Sequence, residues 1–319
     1  MRRLRLVPDN TKIQFMRGRV MGLAVSAFLS LASVILYFHP GLNLGIDFQG
    51  GIVMEVRTPE PADFPALRTM LGGLELGHAS LQAFGSSRDV LIRLQQQPGG
   101  DEAQQRAVNT VRDAFTQKYP GTEIRRVEAV GASVSEELFR DGMTAMGLAL
   151  LAMLVYIWFR FDWQFGAGAV ATLILDVTKT IGFFVIAGAI FEMQFNLISI
   201  AAILTIMGFS INDKVVVYDR VRENLRKYKT MPLRELIDLS INETLNRTIN
   251  TSLTAFLATI PLALFGGDAV HDFAVVLLFG IVMATTSSIF IAAPILLFLG
   301  EHRLRPKAGA PAAPITAKS

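Results

Sequence analysis

The chain has 319 residues, of which 51% are hydrophobic and 18% charged, and it contains no cysteine, so disulfide-stapled modules and cysteine-ligated zinc or iron–sulfur centres are excluded. Ordinary soluble domains carry about 25% charged residues; here the charges are fewer and crowded into a few segments, which points to a polytopic membrane protein. The net charge of +3 sits in the segments between apolar runs rather than in a basic patch beside aromatic platforms, so nucleic acid is not an expected partner.

The first segment, residues 1–19, carries Arg2, Arg3, Arg5, Lys12, Arg17 and Arg19. It precedes a charge-free run over 20–38, and about 20 apolar residues are enough to cross a bilayer as a helix. A cleaved signal peptide is the competing reading. The run is longer than a typical signal core, however, and ends in Leu36-Tyr37-Phe38-His39-Pro40 without a small-x-small cleavage pattern.

Residues 39–137 form the soluble part. A strand at Ile52, Val53, Met54 and Val56, a helix over 62–71, strands over 79–84 and 89–94, a helix after Asp101 and a last strand over 123–130 give the order βαββαβ, a ferredoxin-like arrangement. Asp101 and Gln104 have capping-box spacing at the second helix, which Tyr119-Pro120-Gly121 ends. Such a fold hosts unrelated activities and by itself assigns none.

Residues 138–300 hold five further runs of spanning length, at 142–159, 163–191, 193–212, 248–267 and 273–300. The loop after the fourth span carries Arg220, Arg222, Arg226, Lys227, Lys229 and Arg234, with Arg247 at the start of the fifth. The loops 192–194 and 268–272 carry no Lys or Arg. By the positive-inside rule both termini are expected in the cytoplasm and the βαββαβ domain outside it. Leu233, Leu236, Ile237, Ile241 and Leu245 share one face of a helix near 232–246, which reads as an interfacial helix on the cytoplasmic surface or a docking face for a partner. The tail, 301–319, carries Arg303, Arg305 and Lys307 and is Ala/Pro-rich, so it is expected to be disordered.

No HExxH, Walker loop or GxSxG string is present, and His39, His78, His271 and His302 lie outside the spans or at their ends. Neither an enzyme activity nor a cofactor or metal is expected. The informative residues are the charges inside apolar runs, which are functional candidates by default. Asp176 and Lys179 are three residues apart and are expected to pair with each other. Lys214 reads as a side chain snorkelling to the headgroups. Asp213 has no basic residue one helical turn away. Thr205, Gly208 and Asn212 make a small or polar stripe near it, and Arg247, Asn250, Thr251 and Thr254 make a comparable stripe on span five. A carboxyl group there has burial and a nearby arginine acting on it in opposite senses and is a candidate for proton exchange.

Four strings resemble the SecD/SecF family. Gly45-Ile46-Asp47-Phe48-Gln49-Gly50-Gly51 resembles its G-x-D-F-x-G-G signature, and Val130-Gly131-Ala132-Ser133-Val134-Ser135-Glu136-Glu137-Leu138 resembles the junction before span two. Gly208-Phe209-Ser210-Ile211-Asn212-Asp213, running into Val217-Tyr218-Asp219-Arg220-Val221-Arg222-Glu223, resembles the span-four string. Thr244-Leu245-Asn246-Arg247-Thr248, followed by Thr251-Ser252, is similar to the start of span five. The resemblance covers about residues 10 to 300 and implies half of a bundle related to the RND superfamily, with six spans and an exported ferredoxin-like domain, in a bacterial inner membrane.

The same resemblance implies a partnership with SecD, action beside the SecYEG translocon and SecA on an unfolded preprotein, and use of the proton gradient to promote export. Asp213 and Arg247 match the family's proton-transport pair; Asn212, Asn250, Thr251, Asp176 and Lys179 are read, from their own positions in the spans, as supporting polar groups. Gly45, Asp47, Gly50 and Gly51 are read as a coupling hinge. An RND-like proton-coupled transporter half for a small or lipidic substrate is the alternative, and a non-transducing scaffold is a third reading. One departure is that Leu175 precedes Asp176 where the family usually has His, and Lys179 and Lys214 are additional charges.

Overall fold

The computed structural model describes residues 8, 11–84 and 86–299. Arg2, Arg3 and Arg5, and the tail expected to be disordered, lie outside them. In chain order the elements are α1 (Arg19–Phe38), α2 (Ile46–Gln49), β1 (Gly51–Arg57), α3 (Phe64–Gly72), β2 (Ala79–Phe84), β3 (Ser86–Leu94), α4 (Gly100–Lys118) and β4 (Glu123–Val130). The long helices α5 (Ala132–Arg160), α6 (Trp163–Phe191), α7 (Leu197–Lys227), α8 (Leu233–Phe265) and α9 (Asp268–Ser287) follow, and a π-helical turn at Ser288–Ala292 joins α9 to α10 (Ala293–Leu299). Among the described residues, six helical segments are long and apolar enough to span a membrane. The chain divides into two compact units, a helical bundle and an α+β unit formed by residues 43–147 and 194–200.

In the α+β unit the four strands pair antiparallel in the order β2-β3-β1-β4, the expected ferredoxin-like topology. Alternation decides the faces: Ile52, Met54 and Val56 of β1 and Val90 and Ile92 of β3 all point into the core. Leu67 and Leu71 of α3 and Val108, Val111 and Phe115 of α4 cover them. Each such side chain contributes about 1.5–3 kcal/mol on full burial, which is why this region orders its helices on one face of the sheet.

The capping box expected at Asp101 does not form. The N-cap lies two residues earlier, at Gly99 (φ +117°), and Asp101 and Glu102 fall in the first turn of the helix. There the acids complement the helix dipole without capping it. Gln104, the other half of the expected box, is buried instead.

In the bundle, α1 buries serines rather than its large apolar residues. Ser26, Ser30 and Ser33 are covered while Phe28, Leu31 and Ile35 point outward. Gly182 of α6 lies directly against Ser33, so closely that a β-carbon there would collide. Small residues at such contacts let two helices approach, since lipid supplies no hydrophobic drive between them.

The amphipathic segment near 232–246 is the first half of α8, continuous with span five. Its apolar face is already covered within the chain, with Leu236, Ile237 and Ile241 at 0–1% exposure. Asn224 of α7 donates to Ser240 (3.0 Å) and Glu243 (2.7 Å), and Asp238 accepts from the Met16 amide (2.9 Å). The expected membrane-surface or partner-docking face is therefore an internal contact, filled by α7 and the segment before α1.

Candidate functional site: a buried charge network

Among the described residues, four charged side chains are buried within the bundle: Asp176, Lys179, Asp213 and Lys214. Asp176, on α6, accepts from Lys179 Nζ at Oδ1 (3.0 Å), and at Oδ2 from Lys214 Nζ (2.8 Å), Ser210 Oγ (2.8 Å) and Ser287 Oγ (2.7 Å). Lys179 also reaches Ser26 of α1 (3.3 Å). Lys214, instead of snorkelling to the headgroups, is fully buried and also donates to Ser210 Oγ and Ser287 Oγ (3.3 Å). The reason is that Asp176 projects from the neighbouring helix at the same depth, and an unpaired acid there is far costlier than a hydrogen-bonded pair. Lys179 does pair with Asp176 as the three-residue spacing predicts.

Asp213, 6% exposed, accepts from Ser288 Oγ at 2.6 Å. Ser287 and Ser288 thus serve the two acids separately from adjacent positions where α9 gives way to the π turn. Tyr218 Oη donates to the carbonyl of Ala292 (2.9 Å), the last residue of that turn. Such wide turns recur at functional sites because they free carbonyls and shift side chains out of the regular helical register. With both acids ionised and both lysines protonated the four charges sum to zero. A proton bound at Asp213 leaves one net positive charge in a low-dielectric bundle, which favours a rearrangement that brings in water or moves a counter-charge.

Arg247 lies on an exposed face of α8. It is within electrostatic range of Asp213, but among the described residues no hydrogen bond or ion pair joins them. Asn212, Asn250 and Thr251 are also exposed, as are Thr205, Gly208 and Thr254. Asn250 donates to Asn246 of its own helix (3.1 Å). Both polar stripes therefore face outward from the bundle.

The glycine signature forms a second constellation, within the α+β unit. Gly45 N donates to the carbonyl of Phe195 (2.9 Å), Phe195 N donates to that of Asn43 (2.7 Å), and Leu44 and Phe195 form a parallel bridge. Asp47 Oδ2 accepts from Leu197 N (3.1 Å), the first amide of α7. Gly51 has φ +123° and lies so near the Leu94 carbonyl that a β-carbon would come within 2.6 Å of it. A side chain there is excluded by both strain and contact.

Sequence reasoning gave no role to Ser210 and Tyr218, although both fall in the span-four string, and passed over Ser287 and Ser288. The available signal was the polar run Thr285-Thr286-Ser287-Ser288 in the middle of an otherwise apolar span.

Six helices of spanning length among the described residues, one α+β domain inserted after the first, and charges paired inside the bundle define a polytopic helical membrane protein. Residues 110–302 match the family described as "Protein export membrane protein SecD/SecF, C-terminal", and residues 37–58 match the SecD/SecF GG motif. The chain is 43% identical over 305 residues to the protein translocase subunit SecF of Rickettsia prowazekii, covering 95% of this chain and 96% of that one. To the SecF subunit of Cereibacter sphaeroides it is 42% identical over 311 residues, covering 96% and 95% respectively. The crystal structure of SecDF, a translocon-associated membrane protein from Thermus thermophilus, superposes with a TM-score of 0.80 at 32% identity. That match covers 91% of this chain, which spans 39% of the SecDF chain. The chain belongs to the SecD/SecF family of protein export membrane proteins.

Proposed function

We propose that the chain acts as a SecF-type subunit that works with SecD, using the proton gradient to promote export of unfolded preproteins through SecYEG after SecA has begun their transfer. The observation that carries this reading is the pair of outward-facing polar stripes beside Asp213. Arg247, Asn250 and Thr251 cannot face hydrocarbon without cost. A second bundle covering them, SecD in this reading, turns the stripes into a wet seam along which a proton reaches Asp213. Arg247 then modulates that carboxylate across the seam. The termini are cytoplasmic and the α+β domain is on the far side of the inner membrane, in keeping with the distribution of Lys and Arg. The domain segments are 1–19, the span 20–38, the exported domain 39–137, the remaining spans in 138–300 and the tail 301–319.

The test is Asp213→Asn, which preserves size and removes the exchangeable proton. The variant is expected to insert and pair with SecD while losing the gradient-dependent part of preprotein export. Normal gradient-dependent export overturns the reading. Because the chain has no cysteine, Asn250→Cys supplies a clean probe of the seam: its maleimide labelling is expected to fall when SecD is co-expressed, and unchanged labelling removes the argument from the stripes.

A further inference from the structure

A groove of about 520 Å³ opens where the ends of α5 and α7 meet the start of α6, lined by Arg160, Asp219, Arg222, Glu223, Arg226 and Lys227. Asp219, Arg222, Glu223 and Arg226 recur at three- and four-residue steps and so share one face of α7. The acids are already engaged: Asp219 accepts from Arg160, and Glu223 from Arg220 at 2.7 Å. Arg222 reaches Asp162 at 3.4 Å while remaining partly exposed. Among the described residues neither Arg226 nor Lys227 forms an ion pair, and the Lys227 ammonium instead lies over the Tyr228 ring at 5.0 Å. The groove therefore presents unbalanced positive charge although two carboxylates line it.

Its depth in the membrane is set by different residues. Trp158, Phe159 and Trp163 flank Arg160 on the α5–α6 turn and are 72%, 85% and 52% exposed. Indole rings exposed at the end of a span collect at the headgroup level, where one edge meets hydrocarbon and the N–H meets water. The groove is thus basic at the depth at which lipid phosphates lie. Guanidinium groups match the paired oxygens of a phosphodiester, and a groove of this size accommodates a headgroup. Basic pockets between spanning helices have this recognition chemistry.

We propose that this groove is a binding site for the phosphodiester headgroup of an anionic phospholipid. A lipid held there bridges the α5–α6 turn to the end of α7, the helix that carries Asp213 and Lys214.

The chain's two tryptophans are the two that flank the groove, so they report on it directly. The full chain is reconstituted in vesicles containing phosphatidylglycerol or phosphatidylcholine brominated near the top of the acyl chains, at equal mole fraction. Phosphatidylglycerol is expected to quench tryptophan more strongly, with roughly fivefold higher local occupancy for each basic residue engaged. The excess is expected to vanish in Arg222→Gln/Arg226→Gln/Lys227→Gln. It is expected to persist in Arg17→Gln/Lys229→Gln/Arg234→Gln, which removes the same charge elsewhere, and in the presence of inorganic phosphate at fixed ionic strength. Equal quenching by the two lipids overturns the proposal, and that comparison needs no variant to fold. Loss of the excess in both triple variants assigns it to diffuse surface charge, and relief by inorganic phosphate assigns the groove to a soluble anion; either result also overturns the proposal.

Discussion

Asp176 holds two lysines and two serines on its two oxygens, so its removal is expected to cost far more than removal of either lysine alone. Asp176→Asn leaves Lys179 and Lys214 buried without the carboxylate that bonds both, a loss of about 3–5 kcal/mol. Lys214→Met leaves the Asp176–Lys179 pair intact and should cost less. Thermal unfolding of the two variants in detergent checks the order, and equal midpoints would show that Lys179 is not an adequate partner. Outside the membrane, Asp89 is a second charge-assisted site. Hydrogen bonds from Arg57 (2.6 and 2.7 Å) and Ser86 (2.7 Å) hold its carboxyl well below the usual carboxylate range. A lowered folded-state value means that the stabilisation is fully present above the unfolded value near 3.9 and fades as pH falls from there through the folded value. The stability gap between the parent and Asp89→Asn is therefore expected to be constant at neutral pH and to narrow steadily below about pH 5. A gap independent of pH would contradict it.

At the scale of elements, α7 joins the two constellations. Its first amide is capped by Asp47, and the same helix carries Ser210, Asp213 and Lys214 further along. Asp47→Ala removes a side-chain acceptor at a helix N-terminus, worth about 1 kcal/mol, while Asn196 still bonds the Ser199 amide (3.0 Å). Modest destabilisation is thus expected. If the cap also sets the position of α7, the pH dependence of proton flux should shift in Asp47→Ala and recover in Asp47→Asn, whose side-chain oxygen can still accept. A variant that is destabilised without any shift in the profile would confine Asp47 to a structural cap. The π turn at Ser288–Ala292 is the other element on which the network depends, because it aims Ser287 and Ser288 at different acids.

For the whole molecule, the proposed cycle must turn charge movement into motion of the α+β domain. One charge crossing 100 mV releases about 2.3 kcal/mol, whereas swinging a two-state element from 1:99 to 99:1 needs about 5.5 kcal/mol. More than two charges per complete switch are required at that potential. The connections must also be stiff. A flexible Gly/Ser insertion after Gly131, where β4 gives way to α5, is expected to leave proton flux intact while export loses its dependence on it. Export at the normal rate would show that the domain is not driven through this connection.

The sequence by itself determined the six spans, the βαββαβ order and the pairing of Asp176 with Lys179. Each of these is written in short-range patterns: apolar runs of spanning length, alternation in Ile52, Met54 and Val56, and the three-residue spacing of Asp176 and Lys179. Only the tertiary structure decided where Lys214 points, because the acid that holds it lies 38 residues away on another helix. The same holds for the apolar face of α8, whose periodicity marks it as buried without saying whether lipid, a partner or the chain's own α7 covers it. It holds too for Asp101, whose capping spacing was present but was overridden when Gly99 took the left-handed turn. Ser287 and Ser288 were visible as a polar run, yet their assignment to two different carboxylates depends on the wider turn that begins at Ser288 and on packing against α6 and α7. Local patterns fix what a segment is, because they follow from its own helical or strand geometry; which groups meet is fixed only when several segments pack, because the partner of a buried charge is set by contact through space.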